Sequence, residues 1–149
     1  MNGLDALNAH LAGMPPVAAM QVRAVAFDGE RLQLQAPLAA NVNDKGCAFG
    51  GSMSGLMTLA GWGLLTLKME SAGLPAEVYV ADSHVRYLKP LYADLHGEAR
   101  LEPDVDWDAF LRSFRERGRA RAGVLATLRD PDGAVVAELS GRFAALRPA

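Results

Sequence analysis

The sequence predicts an α+β fold in which an antiparallel sheet wraps around one long helix. Two observations indicate this arrangement. The segment between Lys45 and Lys68 contains no charged side chain, and a helix that is apolar on every side has to be enclosed by other parts of the chain. Segments with the alternating side-chain pattern of strands lie before and after it. The sheet that they form is therefore expected to enclose the helix.

Each element has its own local signal. Three leucines at helical spacing, Leu4, Leu7 and Leu11, predict a first helix that Pro15-Pro16 end. Alternation of apolar and polar residues predicts the strands. In chain order, the predicted elements are a helix over 2–12, strands over 21–27 and 32–35, a loop over 38–50, a helix over 51–71, strands over 78–88 and 93–102, a short helix over 103–117, and strands over 119–129 and 134–146.

Turn and cap residues delimit these elements. Asp28-Gly29 predicts a hairpin turn, and residues 130–133, with the sequence Asp-Pro-Asp-Gly, predict another between the last two strands. Gly73 ends the long helix, and Asp104 or Asp106 is the expected N-cap of the short one. No repeat or linker interrupts the pattern, which predicts one domain over residues 1–149.

One buried helix within a curled sheet is the hotdog architecture. Such a sheet leaves an edge strand unpaired, so a homodimer is expected, alone or as a dimer of dimers. A net charge of −2 gives no electrostatic reason to bind nucleic acid. The apolar stretch 49–67 contains five glycines and lacks basic or aromatic flanks, so a buried helix is expected rather than a membrane span.

Further expectations concern location and cofactors. A single cysteine, Cys47, excludes an intramolecular disulfide and fits a reducing compartment. Residues 1–16 lack the pattern of a secretory signal, and the predicted location is cytoplasmic. His10 and His96 have no cysteine or histidine at metal-ligand spacing, so no metal or other cofactor is predicted.

The loop before the long helix carries the predicted chemistry. Asn43, Gly46 and Gly50-Gly51 give the spacing N-x-x-G-x-x-x-G-G. The first N–H groups of a helix lack intrahelical partners and lie at the positive end of its dipole. The N–H groups near Gly51 and Ser52, with the Asn43 amide, would therefore stabilise negative charge on a thioester oxygen. The alternative is that the glycines only permit tight packing and that Asn43 caps a turn.

The same loop resembles the hotdog thioesterase signature N-x-x-G-x-x-H-G-G, with Phe49 at the histidine position. The stretches NDKGCAFGGS, TLAGWGLL and ADSHVRYLKP are similar to a narrower hotdog-fold family of thioesterase-like bacterial proteins. Its members occur alone or behind an acetyltransferase domain, and they include malonyl-ACP decarboxylases. The resemblance implies a thioester of acyl carrier protein (ACP) or coenzyme A as substrate. Gly46, Gly50 and Ser52 are expected to contact it, because glycines let the backbone approach a ligand closely and the first N–H groups of the helix are free. The resemblance also implies a catalytic asparagine, either Asn43 or, failing that, Asn41.

Thr58 is predicted to be a catalytic residue along with Asn43 and Gly51, and it bears on the type of reaction. In the hotdog thioesterases that this chain resembles, a carboxylate on the helix activates water, and Thr58 occupies that position. Threonine cannot act as a general base near neutral pH. Decarboxylation needs no base at that step, only donors for the enolate oxygen and an apolar pocket. The side chains expected to form the pocket are Phe49, Met53, Leu56 and Trp62.

The strand over 78–88 supplies further candidates. Its alternation places Tyr79, Ala81, Ser83, Val85 and Tyr87 on the face that covers the helix, and the opposite face carries Val80, Asp82, His84, Arg86 and Leu88. In the hotdog proteins that this chain resembles, this strand pairs with its copy across the dimer axis. The side chains of Asp82, Ser83, His84 or Arg86 could therefore reach the substrate bound by the other subunit. An Asp82–His84 pair acting as a base would favour hydrolysis, whereas a pair on the interface or outer face would be structural.

Two further patterns leave alternatives open. Cys47 is either a nucleophile near the helix N-terminus or a small buried residue. Five arginines over residues 112–121 either bind ACP or coenzyme A phosphates or form a solvated rim. The missing helix carboxylate and the retained oxyanion site favour decarboxylation, and the resemblance implies a malonyl-ACP decarboxylase that forms acetyl-ACP for the initiation of fatty acid synthesis. The alternatives are an acyl-CoA or acyl-ACP thioesterase and a non-catalytic acyl-thioester-binding dimer.

Overall fold

The computed structural model describes residues 3–149, so Asn2, the first residue of the predicted N-terminal helix, lies outside the described residues. The predicted order of elements is confirmed, with one added helix. The helices are α1 (Gly3–Ala12), α2 (Pro15–Met20), α3 (Gly50–Ser71) and α4 (Trp107–Arg117). The strands are β1 (Arg23–Phe27), β2 (Arg31–Ala36), β3 (Glu77–Tyr87), β4 (Leu95–Leu101), β5 (Arg119–Arg129) and β6 (Val135–Leu146), and a 3-10 turn covers Leu38–Ala40.

The six strands form one sheet in the order β1-β2-β4-β5-β6-β3. Every neighbouring pair is antiparallel. The chain reaches β3 directly after α3, yet β3 pairs only with β6, the last strand. β1 and β3 are therefore the two edges of the sheet, and the long helix lies between them in sequence.

α3 packs against β2, β3, β4, β5 and β6. Its most deeply buried side chains are Leu56, Met57, Ala60, Leu64, Leu65 and Met69, each with no exposed surface. The approach of sheet to helix is closest at Gly61, where a Cβ would lie 2.6 Å from the ring of Phe143 on β6. The absence of charge that predicted this helix thus reflects its enclosure.

The expectation that Pro15-Pro16 only end a helix was incomplete. They also begin α2, where both prolines occupy the first helical positions. The N–H that proline lacks would have no intrahelical partner there, and its fixed φ suits a helix start. The C-cap of α2 is Gln21, whose φ of 58° lies in the left-handed region.

The predicted faces of β3 are correct for its second half and wrong for its first. Opposed residues of an antiparallel pair point to the same side of the sheet. Val80 is opposite the buried Phe143, whereas Asp82 is opposite the exposed Arg142, with a bulge between them. The extra residue of the bulge reverses the alternation. Val80 therefore lies on the inner face, and Tyr79 lies on the outer one.

The structure contains the predicted N-cap of α4 and the predicted turn between the last two strands. Asp106, rather than Asp104, is the N-cap of α4, and its side chain accepts an N–H from Ala109 at 3.0 Å. In the turn between β5 and β6, the N–H of Gly133 donates to the Asp130 carbonyl at 2.9 Å. Within residues 3–149, no helix combines the length and the hydropathy needed to cross a bilayer.

The contact between Gly61 and Phe143 predicts a large effect of one methyl group. Gly61→Ala should lower the free energy of unfolding by about 1–3 kcal/mol, because a buried ring has to move. Gly55→Ala is the matched control, since its Cβ would meet the Met20 methyl at an ordinary 3.5 Å. Alanine is the better helix former by about 1 kcal/mol, so the control should be neutral or stabilising. Urea unfolding at one protein concentration measures both, and a fully stable Gly61→Ala variant would contradict the tight contact.

Candidate active site

The loop that enters α3 is anchored by Asn41. Its buried side-chain amide donates to the carbonyls of Met20 and Pro37, both at 2.8 Å. Its own carbonyl accepts the N–H of Phe49 at 2.7 Å. An amide nitrogen has two hydrogens, and Asn41 uses both within the chain. Asn41 Oδ1 is a buried side-chain oxygen with no hydrogen-bond partner among the described residues. Asn41 therefore has no N–H left for a substrate.

Asn43 shapes the narrow turn that follows. Its Oδ1 accepts the N–H groups of Lys45 at 2.8 Å and Cys47 at 3.1 Å. Its Nδ2 donates to the sulfur of Cys47 at 3.2 Å, and Gly46 provides a φ of 84° within the turn. The turn-capping alternative is thus present in the structure. One hydrogen of the Asn43 amide has no acceptor among residues 3–149, so its predicted role as a donor stays open. Cys47 is buried beneath this amide.

The start of α3 presents unpaired donors. Phe49 is the N-cap and provides no side-chain cap, and its carbonyl accepts the N–H of Met53 at 3.0 Å. The N–H groups of Gly50, Gly51 and Ser52 have no acceptor among the described residues, as expected for the first turn of a helix. No acidic residue lies in that turn. The helix dipole and these three donors therefore favour an anionic oxygen placed at Gly51.

Two aromatic rings border these donors. The Phe49 ring lies over Gly51, where a Cβ would approach the ring to 2.5 Å, and Phe49 is 54% exposed. Tyr87, from the end of β3, donates its hydroxyl to the Gly50 carbonyl at 3.2 Å. Sequence reasoning missed Tyr87 as a site residue. Its predicted position on the helix-covering face was the available signal, but which end of the strand meets α3 depends on the sheet register.

Thr58 lies two turns beyond Gly51. Its hydroxyl donates to the carbonyl of Ser54 at 2.9 Å, which is a bond within the helix. The first carboxylate on α3 is Glu70, at the far end. Met53 and Leu56, predicted to line a pocket, are buried in the core.

Trp62 is not brought to the loop. Its ring packs edge-on against His10 of α1, at a centroid distance of 5.0 Å and an interplanar angle of 84°. Eleven residues of helix separate it from Gly51, or about 16 Å along the axis. The Gly51 end of α3 therefore gains no apolar wall from Trp62 within one chain.

The polar residues of β3 face away from α3. Asp82 pairs with Arg142, whose Nε donates to Oδ1 at 3.0 Å. This hydrogen bond holds the pKa of the Asp82 carboxyl below its usual value, which makes Asp82 a weak base. Arg86 pairs with Glu138 at 3.0 Å, and His84 lies opposite Ser140. Within residues 3–149, Asp82 and His84 form no hydrogen bond with each other.

Ser83 differs from its neighbours. It lies opposite Gly141, on the side of the sheet that faces α3. Across the described part of the chain, no group of three or more histidine, cysteine, aspartate or glutamate side chains is arranged to hold a metal ion. The residues that the structure does bring together are those of loop 41–49, the first turn of α3, and Tyr87.

Solved structures share this fold over nearly the whole chain. A protein of unknown function from Chlorobaculum tepidum is 25% identical, with a TM-score of 0.89 and coverage of 97% of this chain and 94% of its own. A structure from Shewanella oneidensis described as a "putative thioesterase" is 29% identical, with a TM-score of 0.86 and coverage of 97% of both chains. A probable thioesterase from Pseudomonas aeruginosa is 24% identical, with a TM-score of 0.80 and coverage of 95% and 94%.

These similarities identify the fold as the hotdog arrangement of the thioesterase superfamily. The profile of a family described as "Putative thioesterase (yiiD_Cterm)" matches residues 5–147, nearly the whole sequence. The chain therefore belongs to this family of thioesterase-like proteins.

Proposed function

We propose that this chain processes acyl thioesters at the junction of loop 41–49 and α3. The observation that carries the proposal is the set of three unpaired N–H groups at Gly50, Gly51 and Ser52. A thioester carbonyl oxygen seated there would gain stabilisation as negative charge develops on it. The family description and the Shewanella oneidensis relative both point to the same substrate class.

The functional unit in this proposal is a homodimer formed through β3. Ten of its eleven residues are partly or fully exposed, and its outer edge has no strand partner within the described chain. Tyr79, Val80 and Tyr87 are exposed hydrophobic residues on this strand. Antiparallel pairing with the same strand of a second copy would satisfy the edge and cover these side chains. It would also enclose Tyr87 and the start of α3.

The reaction proposed is decarboxylation of malonyl-ACP to acetyl-ACP, which can initiate fatty acid synthesis. The bond between the α-carbon and the carboxylate carbon breaks, and CO2 leaves. The electron pair forms an enolate of the thioester, which takes a proton from solvent to give the acetyl thioester. This step needs donors on the enolate oxygen, and no base on the enzyme. The site has such donors, and α3 has no carboxylate before Glu70.

Hydrolysis of an acyl-CoA or acyl-ACP is the second candidate, favoured by the family description. It requires activation of water. Thr58 cannot provide this, and Asp82 is engaged by Arg142. A non-catalytic dimer that binds acyl thioesters uses the same donors without turnover. Product analysis separates these three functions.

The proposed dimer can be tested by substitutions on the two edge strands of the sheet, β3 and β1. Val80→Asp should give a monomer by sedimentation equilibrium and abolish turnover, because it places a charge where the second β3 would pack. Val25→Asp on β1 is the matched control, since Val25 is similarly exposed on the opposite edge, and it should remain a dimer. A wild-type monomer that is fully active would contradict the proposed assembly.

The donor role of Asn43 can be separated from its role in the turn. Wild-type protein should convert malonyl-ACP to acetyl-ACP, read by mass spectrometry. Asn43→Ala should lower the rate by about 10²-fold or more. Asn43→Asp keeps the oxygen that accepts from Lys45 and Cys47 and loses the donor, so it should fail equally while folding normally.

Full activity of Asn43→Asp would assign Asn43 to the turn alone. Free acid with free thiol from the wild-type protein would favour the thioesterase. Unchanged substrate would favour the binding dimer.

Phe49 should control the access of water. Phe49→Ala exposes the N–H of Gly51, so decarboxylation should fall about tenfold and the ratio of hydrolysed to decarboxylated product should rise. Tyr92→Ala removes another exposed aromatic residue and serves as the control. An unchanged product ratio in Phe49→Ala would show that the ring does not exclude water from the reaction.

A further inference from the structure

A cluster of arginines surrounds the C-terminal end of α4. We call this cluster the basic patch, and it consists of Arg112, Arg115, Arg117, Arg119 and Arg147, all exposed. Arg147 donates to the carbonyls of Phe114 and Arg115 at 3.2 and 2.8 Å, which fixes its guanidinium against the end of the helix. Ser113 ties the patch to β5 by donating to the carbonyl of Arg119 at 3.0 Å. The patch is thus held on two structured elements.

The patch differs electrostatically from three exposed arginines of the sheet. On the sheet, Arg31, Arg86 and Arg142 each pair with a carboxylate. Over residues 3–149, no arginine of the basic patch has a carboxylate within ion-pair distance. The whole chain carries a net charge of −2. Positive charge is therefore concentrated at one place and unmatched there, which suits an acidic partner.

We propose that the basic patch docks an acidic carrier protein, and that it serves the active site of the other copy in the dimer. This inference rests on the proposed function, because the carrier has to deliver a thioester to the start of α3. The occupant is a protein with a negatively charged surface that bears the acyl group on a phosphopantetheine arm. Long-range attraction guides such a partner to the patch.

Distances within one chain argue against delivery to the same chain's site. Arg119 lies in the same row of the sheet as Glu77, at the start of β3. Tyr87, which contacts Gly50, lies ten residues along β3 from Glu77, or about 33 Å away. An extended phosphopantetheine arm has the backbone length of four to five residues, or about 15 Å. The patch and the site of one chain are therefore farther apart than the arm can span.

Pairing through β3 removes this separation. Arg119 and Glu77 both align with Leu146 of β6, so they share one row of the sheet. Tyr87, which contacts Gly50, lies at the other end of β3. When two copies of β3 pair antiparallel, the Tyr87 end of one adjoins the Glu77 end of the other. The row of Arg119 in that second copy is then three strands away, about 14 Å, which the arm can span.

Charge reversal tests the docking step directly. The variant Arg115→Glu/Arg119→Glu should raise the Kd for malonyl-ACP, measured by titration, by about tenfold or more. Its turnover of a malonyl thioester of N-acetylcysteamine, which has no carrier, should stay within about twofold of the wild type. The matched control is Arg23→Glu/Arg100→Glu, which reverses two exposed arginines outside the patch and should leave the Kd unchanged.

Two results would overturn the docking proposal. One is an unchanged Kd for the carrier in the patch variant. The other is an equal loss of affinity for malonyl-CoA, which would assign the patch to nucleotide phosphates. Because binding is measured separately from catalysis, a wild-type protein that binds the carrier through the patch but makes no acetyl-ACP contradicts only the proposed function.

Mixed dimers test which site the patch serves. In the first, one subunit carries the patch variant and the other carries Asn43→Ala. Docking across the dimer predicts that this mixed dimer retains about half of the wild-type activity on malonyl-ACP. In the second, both changes are on one subunit, and docking across the dimer predicts near-complete loss. The reverse order of activities would show that each patch serves its own chain.

Discussion

The enclosure of α3 is the constraint on which the rest of the structure depends. The helix packs against five of the six strands, and at Gly61 the sheet comes so near that a Cβ would displace the ring of Phe143. Most of the helix is covered, apart from a half-buried stripe that includes Ser54, Thr58 and Trp62, and its first turn is open to solvent at Gly51. Its N-terminal N–H groups therefore become the natural place for a ligand, because they have no intrahelical partner. The chemistry proposed for this chain depends on burial as much as on individual side chains.

The two asparagines of the loop form different hydrogen bonds at this end of the helix. Asn41 uses both amide hydrogens to hold the loop against α2 and β2. The side-chain oxygen of Asn43 accepts two N–H groups of the turn, and one hydrogen of its side-chain amide has no acceptor among the described residues. The hydrogen bonds therefore favour Asn43 over Asn41 as the proposed donor to a substrate, as the motif spacing does. The same loop holds Phe49 over Gly51, so donors and apolar cover come from one short segment.

The helices and strands could be predicted well from the sequence, but the contacts between them could be predicted less well. Absence of charge identified α3, and alternation identified the strands. Pro15-Pro16 were misread in part, because proline both ends one helix and starts another. The bulge in β3 has no composition signal, so the faces of Tyr79 and Val80 were reversed. The contact of Tyr87 with Gly50 and the packing of Trp62 on His10 depend on register and on the position of α1. No local pattern encodes these.

The bulge has a consequence for solubility. A long, open edge strand is a template on which further chains can add without limit, which leads to aggregation. In β3 the extra residue between Val80 and Asp82 bends the strand and increases its twist. A flat, regular strand from another protein cannot follow that bend over its full length. A copy with the same irregularity, running in the opposite direction, can match it. In the proposed dimer, the bulge would thus favour a second copy of β3 over the unlimited addition of regular strands.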